Sequence, residues 1–302
     1  MFNYLANPDR FMRFSKIATP IFALLAFVIL VFGSVWSLAF APADYLQGQS
    51  ARIMFVHVPA AWVAFSAYSV MAGGSLVYLV WRHNLADVAA NAASTIGATF
   101  TAVCLLSGSI WGRPTWGTWW VWDGRLTSML VLLFIYLGYI ALRSAISDKQ
   151  KSASAGAILC LVGTVNIPII RYSVVWWNTL HQPAAIIRKG GPSIHPEILQ
   201  PLLFMGLGFM LLFGALLLLK MRALIFQNRA AVMFMASQFT NFQEFLQMGG
   251  YAGFVWAAWG IAFVAIVGLV IRAYQHEKFW HSEVEKLEAQ LNQKKQAENE
   301  NP

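Results

Sequence analysis

This chain has little charge. Asp, Glu, Lys and Arg make up 11% of its 302 residues, against 58% that are hydrophobic. That balance excludes a soluble domain and defines a polytopic membrane protein. Cysteine is scarcer still. Only Cys104 and Cys160 occur, with no Cys-x-x-Cys for thiol redox work and no Cys-x-x-Cys-His for covalent haem attachment. A Gly-x-x-x-x-Gly-Lys-Ser/Thr loop is also missing, so the chain carries no P-loop ATPase of its own. Neither a Ser/His/Asp arrangement nor a carboxylate pair is visible, and no catalytic residue is assigned. The first apolar stretch is too long for the h-region of a signal peptide and lacks a small-residue cleavage site, so it reads as a retained span.

What is present are long runs without charge. They extend from Ile17 to Ala43, Ile53 to Trp81, Val88 to Gly112, Leu126 to Leu142, Ser152 to Ile170, Ile198 to Leu219 and Phe245 to Ile271. Each accommodates a helix across a ~30 Å hydrocarbon layer, the fourth at the short limit. The expected fold is therefore an all-α polytopic membrane protein, a six-helix bundle plus a seventh C-terminal transmembrane helix. Cys104 and Cys160 fall within helices 3 and 5 and read as core packing.

Lys and Arg orient the spans. With the N-terminus inside, the cytoplasmic segments up to helix 6 carry Arg10, Arg13, Lys16, Arg82, Arg143, Lys149, Lys151, Lys220, Arg222 and Arg229. The outer segments carry the smaller set Arg52, Arg113, Arg125, Arg171, Arg188 and Lys189. The positive-inside rule then places the N-terminus in the cytoplasm.

Five of the 13 tryptophans fall between Trp111 and Trp122: Trp111, Trp116, Trp119, Trp120 and Trp122. An interfacial aromatic belt would scatter them over many helix ends, whereas these are concentrated at one. The interspersed glycines and Pro114 are expected to keep the segment from forming an ordinary helix, so that the indoles lie as a platform. In the assigned topology this platform faces outward. Asp123 follows it at the start of helix 4, where a carboxylate suits a helix N-terminus.

Three of the six histidines share that side. His57 stands near the start of helix 2, and His181 and His195 lie in the segment between helices 5 and 6. A lone interfacial histidine is usually a hydrogen-bonded loop residue, but histidines beside a tryptophan shelf suit a porphyrin, since imidazole is the usual donor to haem iron. His195, in a turn-rich Gly190-Gly-Pro-Ser-Ile-His-Pro196 loop, reads as structural, and His83, His276 and His281 belong to the other side. Arg113 and Arg125 are candidates to pair with haem propionates, because guanidinium suits carboxylate bidentately. Arg125 pairing with Asp123 to brace the loop is the competing reading.

The string Trp111-Gly-Arg-Pro-Thr-Trp-Gly-Thr-Trp-Trp-Val-Trp-Asp-Gly-Arg-Leu-Thr-Ser128 resembles the WWD signature of haem-handling proteins in cytochrome c maturation, specifically the CcmC family. Ala41-Pro-Ala-Asp-Tyr45, His57-Val-Pro-Ala-Ala61, Asn166-Ile-Pro-Ile-Ile170 and the segment from Tyr172 to Gln182 are similar to it as well. The resemblance covers roughly residues 1–229, with the WWD segment at 111–128. It implies a bacterial inner-membrane protein of six helices that holds non-covalent b-type haem on its periplasmic face, with His57 and His181 as axial ligands. It further implies that haem is loaded onto the chaperone CcmE, with the ABC subunits CcmA and CcmB as partners. Trp111, Trp116, Trp119, Trp120, Trp122 and Asp123 are then the haem platform and chaperone docking surface. Other classes of function that fit the same histidines are a membrane b-type haem electron carrier and a permease subunit of an ABC complex.

Residues 230–302 depart from that family. The run from Met235 to Trp256 resembles the start of CcmD, a small single-helix partner of CcmC, followed by a polar cytoplasmic tail rich in Glu, Lys and Gln. Between Arg229 and Glu244 the uncharged stretch is too short to cross ~30 Å at ~1.5 Å per residue. The expectation is two normally separate polypeptides joined here, with Met233 or Met235 as an independent start and an N-outside helix 7.

Overall fold

The structure is a computed structural model. It describes residues 7–177, 179–182, 185, 186, 188, 190–235, 242–247, 250–268, 271, 272 and 275. The chain divides into two compact units, Met1–Ala231 and Val232–Pro302. Among the described residues no strand forms, and six helices are long and apolar enough to cross a membrane.

In the first unit, α1 (Pro8–Val35) starts on Asn7, whose side chain accepts from Asp9 N at 2.8 Å, with Pro8 where a missing N–H costs nothing. It ends in a π turn, Trp36–Phe40. Arg52 closes that end by donating to the carbonyls of Ser37 and Leu38 at 2.6 Å and Ala41 at 2.9 Å. These are carbonyls that an apolar environment would otherwise leave unpaired. After a 3-10 turn, Gln49–Ile53, come α2 (Met54–Trp81), α3 (Asn84–Trp116) and α4 (Gly124–Ala145). The fifth span is two helices, α5 (Lys149–Gly163) and α6 (Asn166–Trp176), and the sixth is α7 (Pro196–Met235).

The break between α5 and α6 corrects the expectation of one continuous helix. Pro168 has no N–H for the carbonyl of Thr164, and its ring crowds that carbonyl. The chain bridges the gap with tighter bonds, Val165 N to Val162 O at 3.3 Å and Ile167 N to Thr164 O at 3.1 Å. Most spans also overrun their charge-free runs. Arg125 and Arg143 both sit inside α4, one at each end.

The bundle is held by small residues on α2 and α3 that let backbones approach, among them Ala60, Ala64, Ala67, Ala90 and Ala93, all buried. Three buried tyrosines, Tyr68, Tyr136 and Tyr139, fill the centre. Tyr68 donates to Cys160 O at 2.7 Å and Tyr136 to Ala64 O at 2.8 Å, so two hydroxyls lock α2 to α5 and α4 to α2. Outward apolar side chains such as Leu24, Phe27, Leu106, Phe134 and Ile158 are exposed, as a lipid-facing surface requires. At the end opposite the tryptophan segment, Arg143 forms a two-pronged ion pair with Asp87.

The second unit contains α8 (Phe242–Gln247) and the apolar helix α9 (Ala252–Gly268), which falls within the run expected from Phe245 to Ile271. Trp256 Nε1 donates to Leu246 O at 2.9 Å, tying α9 back to α8. The residues between Met235 and Phe242, His276, His281 and the polar tail lie outside the described residues.

Candidate functional site

The tryptophan segment is more helical than its glycines and proline suggest. α3 continues through Trp111, Pro114 and Trp116 and stops at Gly117, whose φ of 78° is a left-handed conformation that glycine adopts without strain. Only residues 117–123 are non-helical before α4 begins. Pro114 falls in the last turn of the helix, so it removes a single backbone bond, the one to Ile110 O, and the turn survives. Arg113 acts at the same end: its guanidinium donates to Gly117 O, capping its own helix. It does not line the cavity described next.

That cavity, about 490 Å³, opens at this end of the bundle and is within the ~300–1,000 Å³ usual for a small-molecule site. Trp111, Trp116 and Trp120 line it, as do His57, His181, Cys104, Arg125 and Arg171. Trp119 and Trp122 face outward instead, 57% and 76% exposed. The segment therefore has an inner and an outer aromatic face. Trp111 is fixed by its indole N–H, which donates to Gln47 Oε1 at 2.9 Å. Gln47 is itself set by the Ala41-Pro-Ala-Asp motif, since Asp44 Oδ1 accepts from Leu46 N at 2.9 Å and Gln47 N at 2.8 Å.

His57 lies on the first turn of α2 and His181 in the loop after α6. Their ring centroids are 6.4 Å apart, with planes tilted by 34°. Trp111 meets His57 edge-on at 5.7 Å, and Trp116 lies 6.1 Å from His181. His57 Nδ1 is 3.0 Å from Cys104 O. A carbonyl only accepts, so Nδ1 carries the proton and Nε2 keeps a free lone pair, the arrangement of a metal-ligating imidazole with its outer partner. The ring fits because Gly108 faces it: a Cβ there would come within 2.9 Å of His57 Cε1.

His181 Nδ1 has two neighbours, Gln182 O at 3.2 Å and Arg125 Nη1 at 3.3 Å. One only accepts and the other only donates, so Nδ1 serves one at a time; donating to Gln182 again frees Nε2. Burial first, and then the adjacent Arg125 guanidinium, hold the His181 imidazole below its ordinary pKa, which favours the neutral, ligating form. Asp123 is buried at 7% exposure. Its Oδ1 caps α4 by accepting from Leu126 N at 2.8 Å, and its Oδ2 accepts from the Thr179 hydroxyl. Asp123 thus gives both its oxygens to other groups, and the Arg125 guanidinium lies against His181 instead. His195 stands apart, exposed at the start of α7 with Glu197 N at 3.4 Å from Nδ1.

A ligand with acceptor groups suits the cavity. Trp120 Nε1 and Arg125 Nε are buried donors without a partner, each costing ~1–3 kcal/mol in that state. Among the described residues no group of three His, Cys, Asp or Glu assembles to hold a bare ion. Two imidazoles suffice for a metal that brings its own equatorial donors. Gln47, Gly108, Thr179 and Arg171 join the site unannounced. Gln47 and Thr179 each had a cue, the one just after the Ala41–Tyr45 motif and the other inside the Tyr172–Gln182 segment, while Arg171 appeared only among the outer charges.

The fold and the site thus define a polytopic helical membrane protein with a paired-imidazole, aromatic-walled cavity at one end. The chain belongs to the family described as Heme exporter protein C, whose model matches residues 1–236. A second model, Heme exporter protein D (CcmD), matches residues 249–297. The chain is similar to Heme exporter protein C of Bradyrhizobium diazoefficiens, 51% identical over 225 residues, 74% of this chain and 85% of that protein. The protein of the same name from Escherichia coli (strain K12) is 48% identical over 221 residues, covering 73% and 89%. That of Paracoccus denitrificans is 42% identical over 229 residues, covering 76% and 95%.

Proposed function

We propose that this protein holds haem non-covalently at the periplasmic end of an inner-membrane bundle and delivers it to the chaperone CcmE during cytochrome c maturation. The family name supports haem as the cargo. The observation that carries the site is the pairing of His57 and His181 across one aromatic cavity, from elements far apart in sequence. When bound, haem would supply an iron for His57 and His181 to hold and a flat apolar ring for the aromatic walls.

The chain's own residues do the rest. Cys104 O fixes the His57 tautomer, and Arg125 and Trp120 offer donors to the propionate carboxylates. Trp111 and Trp116 wall the cavity, while Trp119 and Trp122 present an outer aromatic face to the chaperone. CcmA and CcmB are the partners expected to power release of the loaded chaperone, and residues 230–302 supply a CcmD-like helix within this chain.

Purification with and without CcmE tests the reading. Copurified haem with a bis-imidazole absorption spectrum, together with covalent haem on the chaperone, is expected. Haem that never reaches CcmE would instead favour an electron carrier, and no retained haem would favour a simple permease.

A further inference from the structure

Asp123 spends both carboxylate oxygens inside the fold. Capping α4 needs only Oδ1. Oδ2 is surplus to the cap, and its partner Thr179 comes from a remote segment, the loop after α6. Thr179 uses its hydroxyl in both directions: it donates to Asp123 and accepts from the His181 backbone N–H at 3.0 Å. The chain of bonds ends at the backbone of His181, so the imidazole nitrogens stay uncommitted to it.

Such a tether answers a physical need. Among the described residues between Trp177 and His195 there is no helix or strand. Structureless loops beyond ~12–15 residues are uncommon in compact folds and hold one conformation only when something pins them. Near the start of this one a hydroxyl and a buried carboxylate do so. The carboxylate directly follows Trp122, the most exposed indole of the tryptophan segment.

We propose that Asp123 and Thr179 are positioning residues for His181: they pin the His181 loop to the end of the tryptophan segment, so the two move as one body. A partner that shifts Trp122 then shifts a haem ligand. The inference rests on the haem-holding reading above, and the experiment separates the two.

Full-length protein loaded with haem is compared as wild type, Thr179→Val, which keeps the shape and removes the hydroxyl, and Thr179→Ser, which keeps the hydroxyl. Wild type and Thr179→Ser should give a six-coordinate low-spin ferric spectrum. Thr179→Val should lose part of that signal to a five-coordinate form and regain it on adding imidazole. In haem-free protein, Thr179→Val should raise hydrogen exchange across residues 179–182 by about tenfold, the equivalent of one charge-assisted hydrogen bond. A wild type that is not low-spin overturns the ligand pair itself. A low-spin wild type with an equally low-spin Thr179→Val, unchanged exchange, or a Thr179→Ser that behaves like Thr179→Val overturns the tether alone.

Discussion

His57 and His181 face each other with ring centroids 6.4 Å apart. Two imidazoles bound on opposite sides of one metal at ~2.0 Å each, with ~1.1 Å from nitrogen to ring centre, would sit about 6.2 Å apart. The two rings therefore already stand at the spacing a shared metal would ask for. If the two rings hold haem as proposed, replacing either with alanine should lower haem retention and convert a low-spin spectrum toward high spin. His195→Ala should leave the spectrum unchanged, because that ring is exposed and outside the cavity. Absorption spectra of the purified variants check this, and an unaltered low-spin spectrum in both alanine variants would sink the assignment.

The two aromatic faces of the tryptophan segment should separate by function. Trp119→Ala and Trp122→Ala remove outward indoles, so haem content should hold while covalent loading of CcmE falls. Trp120→Ala opens the cavity wall and removes an unpaired donor, so haem content itself should fall. Quantifying haem and loaded chaperone in the same preparations decides the matter, and parallel losses in all three variants would reject the division.

Much of this was legible in the sequence because charge brackets apolar runs so sharply in a membrane protein. The six long spans follow the uncharged runs, with ends displaced because Arg125, Arg143 and Lys149 sit on the helices themselves. His57 and His181, which the structure brings together at the cavity, were singled out through the family's motifs. What stayed hidden depends on three-dimensional neighbours. Pro114 looked like a helix breaker, yet α3 runs past it to Gly117, because so near the helix end the proline costs only one backbone bond. No periodicity announces that Gln47 holds Trp111, or that Thr179 reaches Asp123.

At the far end of the bundle, Asp87→Ala should cost more stability than removing both members of its ion pair. Alone it leaves the largely buried Arg143 guanidinium without its counter-charge, a change typically worth ~3–5 kcal/mol. The Asp87→Ala/Arg143→Met double variant removes the stranded charge and should recover part of the loss. Thermal unfolding in detergent reads the order. A double variant less stable than the single would show that the pair is worth more than the burial of its charges costs.

Gly108 supplies the most local test of the site. Its missing side chain is what lets α3 pass against the His57 ring, and an added Cβ would lie 2.9 Å from Cε1 and 3.3 Å from Nδ1. Either the ring turns away, breaking the Nδ1 contact to Cys104 O, or the helices part slightly. Overpacking of this kind generally costs ~1–3 kcal/mol, which a bundle of this size tolerates. Gly108→Ala should therefore leave the protein folded and inserted but change the haem spectrum, with weaker binding and a larger high-spin fraction. Gly73→Ala, at a position on α2 with open space around it, serves as the control. A Gly108→Ala variant with wild-type affinity and spectrum would count against the proposal that His57 holds the haem iron.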